Sequence, residues 1–147
     1  MADENIDVIR RWFEQGWNEG REEVIGELFA DDGIAHGLGE AGVDVIGPEA
    51  YLPFYHRLRG AFPNIRITIE DWISEGERIA LRWTATMTHQ GNDIGPEATG
   101  RDASVTGMTF CTIRDGKIVH AWNNWDIAGL MQQIAPPEAQ AACHILE

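Results

Sequence analysis

The chain has 147 residues, which fits one domain with a packed core and leaves little room for a second. Hydrophobic residues make up 44% and charged residues 24%, which excludes a disordered or fibrous chain. Lys and Arg number 11 against 24 Asp and Glu; the formal charge of −13 repels phosphate backbones and anionic lipid, so neither nucleic acid nor a membrane is an expected partner.

Between Glu4 and Asn18, Ile6, Ile9, Phe13 and Trp17 recur three or four residues apart, which predicts a helix with one apolar stripe. Asp3 is placed to cap it and Gly20 to end it. A second short helix is expected around Val24, Ile25, Leu28 and Phe29, broken by Asp31-Asp32-Gly33. Residues Gly33 to Gly37 read as a short strand and Leu38 to Gly47 as a Gly-rich loop. Gly47-Pro48-Glu49 starts a third helix, because Pro suits the first helical position and an acid suits the positive end of the dipole. Its stripe is Tyr51, Phe54, Tyr55, Leu58 and Phe62; Pro53 is expected to disturb its early turns, and Pro63-Asn64 to close it.

After Pro63 the apolar period changes to two. Ile65, Ile67 and Ile69 alternate with polar residues, and Gly76-Glu77 marks a hairpin. Ile79, Leu81, Trp83, Ala85, Met87 and His89 then share one face of a long strand. A loop over 90–100 leads to a second long strand ending near Arg114. Asp115-Gly116 is a hairpin turn, and the last strand, Lys117 to Trp125, pairs back on it. Asp126 caps a final helix, Ile127 to Ile134, which Pro136-Pro137 stops.

These elements predict an α+β fold, a cone-shaped curved antiparallel sheet packed on three N-terminal helices. The domain spans 1–135, with 136–147 as a tail. Six Trp, five Phe and two Tyr are enough to line a pocket that takes a small hydrophobic molecule. His89, in line with Trp83 and Met87, is a candidate proton carrier there; its other reading is a hydrogen-bonded histidine at the strand end. His36 is a second candidate. Alternation puts Val119, Ala121, Asn123 and Trp125 on one face of the last strand, with His120, Trp122 and Asn124 on the other. A Trp on each face implies that both faces are covered, hence a homodimer or homotetramer.

There is no Gly-rich phosphate loop, dinucleotide fingerprint, HExxH, CxxC or GxSxG, so no cofactor and no metal is expected. No apolar run is long enough to cross a membrane, and the opening MADENIDVIRRW does not read as a secretory signal. Cys111 and Cys143 suggest no disulfide framework, so a cytoplasmic setting is expected.

The segments IGPEAYLPFYHRLRGAFPNIRITIED, RWTATMTHQG, GRDASVTGMTFCTIRDGKIV and WNNWDIAGLMQQI, in this order, resemble the SnoaL-like polyketide cyclases of the nuclear transport factor 2-like superfamily. The resemblance covers roughly residues 5–135. It implies a cone with a deep hydrophobic pocket and cofactor-free closure of a polyketide ring by intramolecular aldol chemistry, with a carboxylate on the last strand as acid and base. Counting on from DGKI, that carboxylate's position falls on Asn123, an amide that hydrogen-bonds but does not exchange a proton at neutral pH. The family's first-strand asparagine falls on Ala35, beside His36, and a pocket histidine near Thr109; the T-H-x-G histidine is kept as His89. On this reading His89 and Asn123 are the catalytic residues, and His36, Tyr55, Trp83, Thr109, Trp17 and Phe13 surround the substrate. The alternative is a protein of the same fold that binds a hydrophobic ligand without turnover. The same cone also hosts epoxide hydrolases, for which Arg101-Asp102 is a candidate fragment, and steroid isomerases.

Overall fold

The structure, a computed structural model, describes residues 2–39 and 43–136. Helix α1 (Ala2–Arg11) continues into a wider, π-helical segment (Trp12–Asn18), followed by α2 (Glu23–Leu28), β1 (Phe29–His36) and the two-residue β2 (Val45–Ile46). Then come α3 (Pro48–Ala61), β3 (Arg66–Glu75), β4 (Arg78–Thr88), β5 (Asp102–Arg114), β6 (Lys117–Trp125) and α4 (Ile127–Ile134). The expected cap at Asp3, the tail beyond Pro136 and Cys143 lie outside the residues and side chains described.

The six strands among the described residues form one sheet in the order β2-β1-β6-β5-β4-β3. The four-stranded run β3 to β6 is the expected meander. The Asp115-Gly116 turn has both residues at positive φ, 53° and 75°, the backbone of a two-residue hairpin whose twist matches its strands. It pairs Arg114 with Lys117.

Several features depart from the sequence reading. Phe29 opens β1 rather than closing a helix, and Asp31-Asp32 do not break the chain, because β1 bulges between Phe29 and Ile34 and exposes both acids there. β1 also lies parallel to β6, with His36 opposite Trp122, so the sheet is antiparallel except at this junction. A further bulge leaves Val119 between the pairs Thr112–His120 and Ile113–Ile118. Ile118, Ala121, Asn123 and Trp125 therefore face inward, and Val119 does not line the interior.

The π-helical segment widens the expected first helix and buries Trp12 beside Phe13, Gly16 and Trp17. Its last polar groups are satisfied from outside the helix. Tyr55 donates its hydroxyl to the Gly16 carbonyl at 2.7 Å, and Arg59 donates to the Trp17 carbonyl at 2.9 Å. Asn18 both accepts from and donates to the main chain of Ile67. Pro53 does not interrupt α3, which begins with Pro48 at its first turn. Among the described residues, no helix is long and apolar enough to cross a membrane.

Candidate functional site: an aromatic cavity with one polar chain

Between the helices and the concave face of the sheet lies a cavity of about 850 Å³, counting its open mouth. The first helix supplies Trp12, Phe13 and Trp17, and α3 supplies Tyr51 and Phe54. The sheet supplies Phe29, Trp83 and Trp125 with a floor of aliphatic residues such as Leu81, Ala85 and Val105. Edge-to-face contacts lock these rings together: Trp12 meets Tyr51 at 5.1 Å and Phe29 at 6.0 Å between centroids.

One polar chain runs along this wall. The Trp83 indole N–H donates to Thr109 Oγ1 at 3.0 Å, Thr109 donates to Asn123 Oδ1 at 3.0 Å, and Asn123 Nδ2 donates to the His36 carbonyl at 2.9 Å. The indole is a donor only and the carbonyl an acceptor only, so the direction of the whole chain is set at both ends. The Asn123 amide has a second N–H beyond the one given to His36, and Asn123 lines the cavity. Nearby, Trp125 donates to the Gly37 carbonyl at 3.2 Å.

Among the described residues, no Asp, Glu, His, Lys or Arg lines the cavity. Its side chains that can lose a proton are Tyr51 and Cys111. Burial holds the Tyr51 phenol well above the ordinary tyrosine range and pushes the Cys111 thiol up to about 12, so both stay neutral at physiological pH.

The expected site residues divide accordingly. Phe13, Trp17, Trp83, Thr109 and Asn123 come together in the cavity. Tyr55 lies one helical turn from the wall-lining Tyr51, and its hydroxyl is spent on Gly16. His89 is fully buried but outside the cavity lining. Thr99 N–H donates to its Nδ1 at 3.2 Å, which leaves the ring hydrogen on Nε2, donating to the Ile94 carbonyl at 3.1 Å. Met87 and Trp83 follow the expected alternation into the cavity, whereas His89 ties down the loop over 90–100, the second of its two readings.

His36 also faces away from the cavity; its carbonyl alone reaches Asn123. On the outer face of the sheet its Nδ1 meets Asp44 at 2.6 Å and its Nε2 meets His120 Nε2 at 2.7 Å. Trp122 stacks on both rings. Asp102 accepts from Thr88 on the same outer face, so the Arg101-Asp102 fragment does not enter the cavity. Among the described residues, no group of three or more His, Cys, Asp or Glu has metal-binding geometry.

Sequence reasoning missed Trp12 and Tyr51. Trp12 stands off the stripe of Ile6, Ile9, Phe13 and Trp17 and lies at the start of the widened segment. Tyr51 was visible in the α3 stripe but not separable from Tyr55.

The model of the SnoaL-like polyketide cyclase family matches residues 7–134. The chain belongs to this family. It is 29% identical over 134 residues to the aklanonic acid methyl ester cyclase DauD of Streptomyces sp. (strain C5), covering 90% of this chain and 82% of that protein. IdmH of Streptomyces antibioticus, a candidate polyketide cyclase, superposes with a TM-score of 0.76 at 29% identity, over 88% of this chain and 96% of that one. A candidate SnoaL-like cyclase from Jannaschia sp. CCS1 shares the fold with a TM-score of 0.81 at 24% identity, over 92% and 95% of the two chains. The cone of the nuclear transport factor 2-like superfamily, expected from the sequence, is the fold found.

Proposed function

We propose that this SnoaL-like protein draws a neutral, hydrophobic carbonyl compound of the polyketide kind into the cavity and promotes its intramolecular aldol closure or isomerisation without a cofactor. The observation that carries this reading is the spare Asn123 N–H at the end of a directed hydrogen-bond chain in an otherwise apolar, aromatic wall. A carbon flanked by two carbonyls is acidic enough to give its proton to water. The enolate carbon then attacks the second carbonyl, and water returns a proton to the new alkoxide. The chain holds the substrate folded and hydrogen-bonds the oxygen that gathers charge. His89 has no part in this, since both its ring nitrogens are engaged outside the cavity.

The lack of an ionisable side chain at neutral pH among the described cavity residues favours a second reading, a ligand-binding member without turnover. One experiment separates them. The protein is incubated with an anthraquinone-type methyl ester carrying a 1,3-dicarbonyl side chain, and ring closure is followed by chromatography. Catalysis above buffer that falls roughly 100-fold in Asn123→Ala supports the first reading. Tight binding with no turnover supports the second.

Self-association is proposed through the outer face of the sheet. Ile73, Ala80, Phe110, Trp122 and His36 form a cross-strand row there, and Phe110 and Trp122 remain 40% and 39% exposed. Arg66, Arg78, Arg82 and Arg114 on this face are matched by Glu70, Asp71, Glu75 and Asp102, so a chain of charge −13 presents a nearly neutral face to a second copy. The buried free thiol of Cys111 fits a reducing, cytoplasmic setting.

A further inference from the structure

Two tyrosines one turn apart on α3 use their hydroxyls differently. Tyr55 donates to the Gly16 carbonyl at 2.7 Å, so its hydrogen is spent inside the protein. Tyr51 is 4% exposed and sets its ring among Trp12, Trp17, Phe29 and Phe54, all of which line the cavity with it. Burial keeps this phenol neutral, and the hydrogen bond it receives from Trp17 only partly opposes that effect. An indole N–H can only donate, so the Tyr51 oxygen is the acceptor and its own hydrogen is left over. Among the described residues, no group accepts that hydrogen.

A hydroxyl hydrogen held in an apolar wall without an acceptor costs free energy, which an oxygen entering the cavity would recover. The sheet side of the same cavity presents the second N–H of Asn123, while the Trp83 and Trp125 indoles are already committed to Thr109 and the Gly37 carbonyl. The helix side presents Tyr51. Ring closure loads two oxygens in turn, first that of the enolate and then that of the carbonyl it attacks. One amide hydrogen can serve one of them. A neutral hydroxyl on the facing wall can serve the other and adds no charge to an uncharged lining.

We propose that the Tyr51 hydroxyl is a second anchor for the guest, donating to a carbonyl oxygen at the helix wall while Asn123 holds another at the sheet wall. The guest class this selects is a flat compound with two separated acceptor oxygens. The proposal rests on the reading that the cavity takes a neutral carbonyl compound, and it adds the residue that fixes the guest's other end.

The test compares the wild type with Tyr51→Phe, using the full chain and quenching of its tryptophan fluorescence. The probes are anthraquinone, which carries two opposed carbonyl oxygens, and anthracene, which has the same ring frame and none. Affinity for anthraquinone is expected to fall about fivefold in the variant, the worth of one ordinary hydrogen bond, and that for anthracene to stay within twofold. Urea unfolding without ligand separates an anchor from a structural hydroxyl. Tyr51→Phe is expected to unfold at the wild-type midpoint or above it, whereas Tyr55→Phe, which loses the bond to Gly16, unfolds below it. Unchanged anthraquinone affinity, an equal loss for both probes, or a Tyr51→Phe midpoint as low as that of Tyr55→Phe overturns the proposal. A wild type that binds neither probe overturns the proposed function together with this anchor. A wild type that binds both, with no discrimination by Tyr51→Phe, overturns the anchor alone.

Discussion

The indole N–H of Trp83 and the main-chain oxygen of His36 stand at the two ends of one hydrogen-bonded chain, and neither can change its part. Thr109 and Asn123 between them have no freedom to flip. An amide is usually an ambiguous group; here its environment fixes which end is nitrogen.

Thr109→Val removes the hydroxyl and keeps the shape. It strands the Trp83 donor and the Asn123 oxygen in a mostly buried wall. A loss of about 1–3 kcal/mol is expected, measured by urea unfolding. Unfolding midpoints equal to the wild type would show that water replaces the hydroxyl.

Asn123→Asp puts two acceptors face to face, since a carboxylate cannot donate to the His36 carbonyl. The protonated acid can. The new carboxyl therefore has its pKa raised on folding, and the stability it contributes is present at low pH and lost as pH rises through that raised value. Thermal melts should show the deficit against wild type growing from pH 5 to pH 8. The same variant supplies a cavity base, and ring closure faster than wild type is expected at the higher pH.

His89→Ala removes a buried ring that holds Thr99 and Ile94. The 90–100 loop should become susceptible to limited proteolysis and stability should fall by about 2–4 kcal/mol. Affinity for 6-propionyl-2-dimethylaminonaphthalene, a neutral fluorescent aryl ketone, should stay within twofold of the wild type. A large loss of affinity without loosening of the loop would return His89 to the site.

Burial raises the Cys111 thiol from about 9 to about 12. Unfolded chain releases that proton first as pH rises, so this group's contribution to stability is intact below about 9 and lost on the way to about 12. Iodoacetamide at pH 8 should modify Cys111 only at the rate of unfolding, and alkylation as fast as a free thiol would contradict the burial.

Trp122→Glu places a charge in the exposed row across the sheet. If that row joins two copies, sedimentation should show wild type as a dimer or tetramer at micromolar concentration and the variant as a 16.4 kDa monomer. A wild-type monomer refutes the interface.

What the sequence discloses follows the range of the forces involved. The β4 alternation, the Asp115-Gly116 turn and the Asp126 cap are local, and each lies where the residues put it. The parallel seating of β1 on β6 is not local. His36 and His120 are 84 residues apart, and no short-range pattern announces that they touch. Alternation also fails where a bulge intervenes, at Val119, and where a strand passes the rim of the sheet. His89 continues the inward phase of β4 yet meets the 90–100 loop instead of the hollow. Asn123 was legible because it follows the bulge on the same phase as Trp125.

The widened turn from Trp12 to Asn18 carries one residue more than a regular helix of its length would need. Deleting Glu14 would return that coil to the regular pitch with its two ends still in phase, so the change falls on the residues of the widened turn itself. The aromatic wall formed by Trp12, Phe13 and Trp17 thus hangs on a single peptide unit, a coarser dial than side-chain exchange.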